Sequence, residues 1–166
     1  KRTHGPNMVI AALLGLASVY ALFETSSVTT PLAVYEAFVA AILIWGCLEL
    51  AFLLGFITGP RREACPEGVS SSKRFCLALQ VLAYHEIAIL SALILIAMIC
   101  WDAPNQTGLW IFSVLFAMRL SAKLNIFLGV RHMNEDFLPA RLDFLKSYFG
   151  RRPTNWFFPV SVTVSM

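Results

Sequence analysis

Charge is scarce in this 166-residue chain, and its scarcity excludes more than any motif identifies. Charged residues make up 14% of the sequence and hydrophobic ones 58%, with a mean hydropathy of +0.70, against about 25% charged in an ordinary soluble domain. A soluble single domain fits those figures poorly. Period-two alternation is also lacking from the apolar runs, which argues against strands. Cys47, Cys65, Cys76 and Cys100 show no C-x-x-C pairing, and all but Cys65 lie within apolar runs. Neither a metal site nor a disulfide framework is supported. No nucleophile and base pair, phosphate loop or metal-ligand spacing argues for an enzyme, so a non-catalytic protein is expected. The formal net charge of +3 does not mark a nucleic-acid binder, because the basic residues hug the ends of apolar runs and form no separate basic domain.

What is present in place of charge is four long apolar runs, from about Met8 to Phe23, Leu32 to Ile57, Phe75 to Cys100 and Leu109 to Val130. Spanning the hydrocarbon of a bilayer takes about 20 residues of helix. The expected fold is therefore an all-α integral membrane protein: a transmembrane bundle over residues 1–130, then a cytoplasmic amphipathic helix and an aromatic interfacial segment over 131–166. The breaks carry turn chemistry: Ser and Thr between Glu24 and Pro31, Gly59-Pro60, and Pro104-Asn105 before Gly108. Glu24 and Thr25 follow the first run where a signal peptide would place small residues, so that run is expected to stay as an anchor. Asn105-Gln106-Thr107 fits the glycosylation sequon, but so short a loop hugging the bilayer makes chance the better explanation.

Of the 13 Lys and Arg, Arg119 and Lys123 fall within a run and the other eleven outside. Those eleven precede the first run, surround the second loop (Arg61, Arg62, Lys73, Arg74) or follow the last run. The first and third loops carry none. That asymmetry puts Lys1, the middle loop and the residues after Val130 on the cytoplasmic side.

Ionisable groups inside the runs are costly, at least about 2.5 to 3.5 kcal/mol at mid-bilayer, and such groups usually pair. Counted at about 1.5 Å per residue from the cytoplasmic ends, Glu49 lies roughly 13 Å up, His85, Glu86 and Arg119 roughly 16 Å, and Lys123 one turn lower than Arg119. Arg119 and Lys123 share a helix face and can meet the two carboxylates together. Asn125 and Ser121 add polar groups, giving an expected intramembrane cluster of Glu49, His85, Glu86, Arg119, Lys123 and Asn125. Gluing the bundle in register is the commoner role for such a cluster; ligand binding or proton relay is the alternative. A neutral His85 imidazole has the chemistry of a pigment ligand, to the magnesium of a chlorin, whereas a bis-His haem within the chain is excluded for want of a second intramembrane histidine. Glu36, one turn inside the external end of its run, can reach the interface.

After the last run, Leu138, Leu142, Leu145 and Phe149 fall at helical spacing, with Arg141, Asp143, Lys146 and Ser147 on other faces. Pro139 suits a first turn and Gly150 a stop. Arg141, Leu142, Leu145, Lys146, Phe149, Arg151 and Arg152 are the expected contacts to the anionic leaflet or a partner. Trp156, Phe157, Phe158 and Pro159 form an aromatic segment suited to the interface.

Several separated stretches carry a resemblance: ELAFLLGFITGPRR from Glu49 to Arg62, HE at His85-Glu86, APNQ from Ala103 to Gln106, SAKLN from Ser121 to Asn125, FLGVR from Phe127 to Arg131, NEDFLP from Asn134 to Pro139, and FPVS from Phe158 to Ser161. Together they resemble the photosynthetic complex assembly protein family called PuhE over nearly the whole chain. The resemblance implies a multi-pass protein of the bacterial inner or intracytoplasmic photosynthetic membrane, a subunit or assembly factor that works with reaction-centre and core antenna polypeptides and with lipid. It brings no catalytic motif. Family members are longer at both ends, and Lys1 is not an initiator Met, so further apolar helices are expected on either side. Bacteriochlorophyll, quinone, carotenoid and bound lipid are the candidate cofactors; a pigment protein with His85 as bacteriochlorophyll ligand, and a proton-relay or transport protein using Glu49 and Glu86, are the competing functions.

Overall fold

The computed structural model describes residues 5–129, 138–149 and 155–165, and among them it is all-helical. The helices are α1 (Gly5–Ser26), α2 (Pro31–Leu53), α3 (Ser71–Cys100) and α4 (Thr107–Leu128), then a 3-10 helix (Ala140–Tyr148) and α5 (Phe157–Ser165). Each of the first four is long and apolar enough to cross a membrane. Their large apolar side chains are mostly exposed, as helices facing acyl chains would be.

The chain forms two compact units, one taking in residues up to Ile57 and His85–Leu115, the other Thr58–Tyr84 and the described residues from Phe116 onward. In the first unit, α1 and α2 pack as a hairpin. Thr30 starts α2, its side chain accepting from the Ala33 amide at 3.3 Å, with Pro31 at the first position. α2 buries Ala33, Ala37, Ala40, Ala41 and Ile44. Small side chains let the backbones approach, which is how membrane helices gain packing without a hydrophobic driving force between them. Ser18 and Thr25 of α1 return their hydroxyl protons to Leu14 and Ala21 of their own helix, at 2.8 and 2.7 Å, so neither carries an unmet donor into the lipid.

Hydropathy alone predicts that the second run stays helical to Ile57, but α2 stops at Leu53. Gly55 takes φ +74°, the Phe56 amide donates to Ala51 and the Gly55 amide to Phe52. That is a Schellman closure, which needs a left-handed residue that glycine supplies without a Cβ penalty. At the other end of this unit, Trp45 of α2 meets Phe112 of α4 edge-on at 5.3 Å between ring centres.

In the second unit, Ser70 begins α3, its carbonyl accepting from the Arg74 amide at 2.9 Å and its hydroxyl from the Lys73 amide at 3.4 Å. The Arg74 guanidinium lies 4.9 Å from the centre of the Phe127 ring, and Phe75 meets the same ring edge-on. Gly129, at φ +115°, closes α4 with its amide donating to Asn125. Gly59 sits directly on the backbone of α3 at Gln80 and Val81.

The 3-10 helix corrects the expectation of an amphipathic α-helix with an outward apolar face. At three residues per turn, Leu142, Leu145 and Tyr148 line up on one face, and all three are buried. Tyr148 accepts from Arg61 Nε at 2.9 Å and donates to the Glu63 carbonyl at 2.9 Å, while the Cys65 amide donates to Ser147 Oγ at 2.8 Å. The phenol oxygen against its Nε holds the Arg61 guanidinium above its ordinary range, so this cation stays charged. Tyr148 and Ser147 thus serve the loop before α3, whose backbone needs partners, and the 3.0 and 3.6 spacings of leucine are too close to separate by sequence. Tyr148→Phe is expected to lower unfolding free energy by about 1 to 1.5 kcal/mol, since the Glu63 carbonyl loses its donor; an SDS unfolding titration measures it.

Candidate functional site: a buried histidine and its carboxylate

α2 presents Glu49 and Phe52, three residues apart and so on one face, to His85 of α3. His85 has 0% exposure, and its Nε2 lies 3.6 Å from Glu49 Oε2. Phe52 stacks on the imidazole at 4.6 Å between centres and 23° between planes. Counting residues from the cytoplasmic ends puts Glu49 and His85 in one depth band with Arg119 and Lys123, without naming this contact; with α2 ending at Leu53, Glu49 lies about 6 Å from its end, and His85 lies about 21 Å from the start of α3 at Ser71. The arrangement sets a carboxylate at ion-pair distance from a ring nitrogen, longer than a hydrogen bond, and packs the imidazole against Phe52. Here one ring face is covered by Phe52 and Nε2 faces a carboxylate.

The remaining cluster members are placed as follows. Glu86 is half-buried on α3 in the first unit. Arg119, Lys123 and Asn125 belong to the second unit, the two cations half-buried one turn apart on α4 and Asn125 buried. Asn125 Nδ2 donates to the Ser121 carbonyl at 3.1 Å and to Ser161 Oγ at 2.8 Å. Glu36 is exposed. Among the surface residues expected to touch lipid or a partner, Arg141 is exposed, Lys146 pairs with Asp143 at 2.6 Å, Phe149 is half-buried, and Leu142 and Leu145 are turned inward. Arg151 and Arg152, like Gly150, lie outside the described residues.

Asn105, which the sequence marks only as a turn residue and a chance sequon, has a structural role. Its Nδ2 donates to the Thr25 and Ala33 carbonyls at 3.0 and 3.3 Å, its Oδ1 accepts from the Thr107 amide at 3.2 Å, and its own amide donates to Ser26 at 3.0 Å. One buried side chain thereby ties the end of α1, the start of α2 and the start of α4. An amide held this way is closed to glycosylation in the folded protein, in keeping with a chance sequon. The signal was an Asn two residues before a helix, a capping residue read only as a turn. Asn105→Ala is expected to cost about 2 to 3 kcal/mol, because two buried carbonyls lose their donor. Thermal unfolding in detergent gives the check, and a loss below a few tenths would contradict the staple.

The comparisons place these features in a lineage. The chain is 48% identical over 130 residues to a Rhodobacter capsulatus protein described as "Uncharacterized 30.4 kDa protein in puhA 5'region", an alignment covering 78% of this chain and 47% of that protein. It thus spans about half the length of that relative. No solved structure matches. Residues 1–166 match throughout a family described as "Protein of unknown function (DUF3623)", and to that family this multi-helix membrane chain belongs.

Proposed function

We propose that this chain is a non-catalytic membrane subunit or assembly factor of the bacterial photosynthetic reaction centre and core light-harvesting complex. The observation that carries the reading is 48% identity to a protein named for its position 5′ of puhA, a photosynthesis gene region. Two features of the fold support it. The four long helices expose broad apolar faces able to pack beside other membrane helices. The buried His85 and Glu49 are held as a packed pair, in the manner of structural polar contacts between membrane helices.

The basic residues Arg61, Arg62, Lys73 and Arg74 support placing the loop before α3 in the cytoplasm, together with Lys1 and the chain after Val130. Exposed Glu63 gives the test of sidedness: Glu63→Cys labels with an impermeant maleimide in inverted vesicles and is silent in right-side-out ones. For the function, the tagged protein is expected to recover reaction-centre and antenna polypeptides from detergent-solubilised photosynthetic membranes. Recovery of neither class removes the proposed partnership.

A further inference from the structure

The last described segment departs from the interfacial role that its aromatic residues suggest. Asn155 begins α5: its Oδ1 accepts from the Phe158 amide at 2.9 Å, and its Nδ2 donates to the carbonyls of Gly129 and Asn125 at 2.7 and 3.3 Å. Six residues further along, Ser161 Oγ receives the amide proton of Asn125, whose side chain points back toward Ser121. Residue 155 therefore sits at the end of α4 and residue 161 alongside a point further back within it. α5 retraces α4 in the opposite direction.

From this register we infer that residues 155–165 re-enter the bilayer beside α4, with acyl chains as the partner of their outer face. A helix lying in the interfacial plane needs a strongly polar or charged side, and residues 155–165 contain no ionisable side chain. A helix in hydrocarbon instead has to satisfy every polar group internally. The hydroxyls of Ser161 and Thr163 meet that demand: Ser161 Oγ donates to the Phe158 carbonyl at 2.8 Å, and Thr163 Oγ1 to the Pro159 carbonyl at 2.9 Å. Pro159 stands in the first turn, where its missing amide proton costs no helical hydrogen bond. The exposed apolar side chains of the segment include Trp156, Phe158, Val160, Val162 and Val164, the last 82% exposed. Met118, Leu120 and Leu128 of α4, a helix able to cross a membrane, are exposed apolar side chains as well. Nine residues rise about 13 Å, enough to reach well into a hydrocarbon layer about 30 Å thick.

A nitroxide at position 164 tests this. Val164→Cys is made in the full chain with Cys65→Ser and Cys76→Ser, purified, and reconstituted in phosphatidylcholine vesicles. Collision rates of the label are read with oxygen, which concentrates in hydrocarbon, and with a water-soluble nickel chelate. High oxygen and low nickel accessibility is the expected result. High nickel accessibility would put α5 in water, and low values for both would put it against protein; either overturns the inference. Adding Asn125→Leu removes the contact that holds α5 on α4, so nickel accessibility at position 164 should rise severalfold. An unchanged value would show that Asn125 does not hold α5 in place.

Discussion

Gly59→Ala is expected to remove about 3 kcal/mol or more of stability, enough to strip most folded protein from the membrane. A Cβ at this position would lie 2.6 Å from both the carbonyl carbon and the carbonyl oxygen of Val81, and closer still to the Gln80 carbonyl oxygen. The obstructing atoms are helix backbone, which cannot rotate aside as a side-chain tip can. Either the loop lifts from α3 or α3 bends, and both disturb buried Thr58 and Val81. Gly46→Ala in α2 is the matched control, for nothing lies within 4 Å of its added methyl. There the substitution should stabilise by about 0.5 to 1 kcal/mol through lower backbone entropy of the unfolded chain. SDS unfolding titrations of the two variants side by side decide the point. Equal stability would mean that the loop does not rest on α3.

His85→Ala is the second large effect, at about 3 to 4 kcal/mol, because it empties a fully buried site against Phe52. His85→Phe keeps the stacked ring and should recover more than half of that loss, whereas Glu49→Gln, altering a partly exposed partner, should cost only about 1 kcal/mol or less. This ordering follows from packing dominating the site. If His85→Phe is as damaging as His85→Ala, the polar contact to Glu49 dominates the site instead. The visible spectrum of the purified protein should be the same for the wild type and His85→Ala, in line with a histidine whose Nε2 faces a carboxylate and whose ring is covered.

Legibility from sequence followed the physics of each feature. The four long helices were readable because lipid admits only closed hydrogen-bonding backbones, so hydropathy and length suffice. The end of α2 was not, since Leu54, Phe56 and Ile57 are as apolar as the helix before them, and the stop is encoded in the single residue Gly55. The cost of ionisable groups in lipid marks His85 and Glu49 in the sequence as residues that need company, but depth alone sets the carboxylates against Arg119 and Lys123 and does not name the imidazole as the partner of Glu49. The inward turn of Leu142 and Leu145 is hidden from sequence, because the contacts that seat their helix join Tyr148 and Ser147 to Arg61 and Cys65, some eighty residues earlier in the chain. Asn125 was chosen for its depth among charges, yet the contacts described for its side chain go to Ser121 and Ser161. Polarity inside an apolar run marks a constraint without naming its partner.

The length of α3 sets a relation between the protein and the thickness of its host bilayer. Its 30 residues extend about 45 Å, against a hydrocarbon layer of about 30 Å. The surplus has to be absorbed by leaning the helix, by letting its Ser71–Arg74 end stand out among the headgroups, or by local thickening of the lipid. Thin membranes therefore penalise this helix more than thick ones, and acyl-chain length in reconstituted vesicles becomes a dial on its inclination.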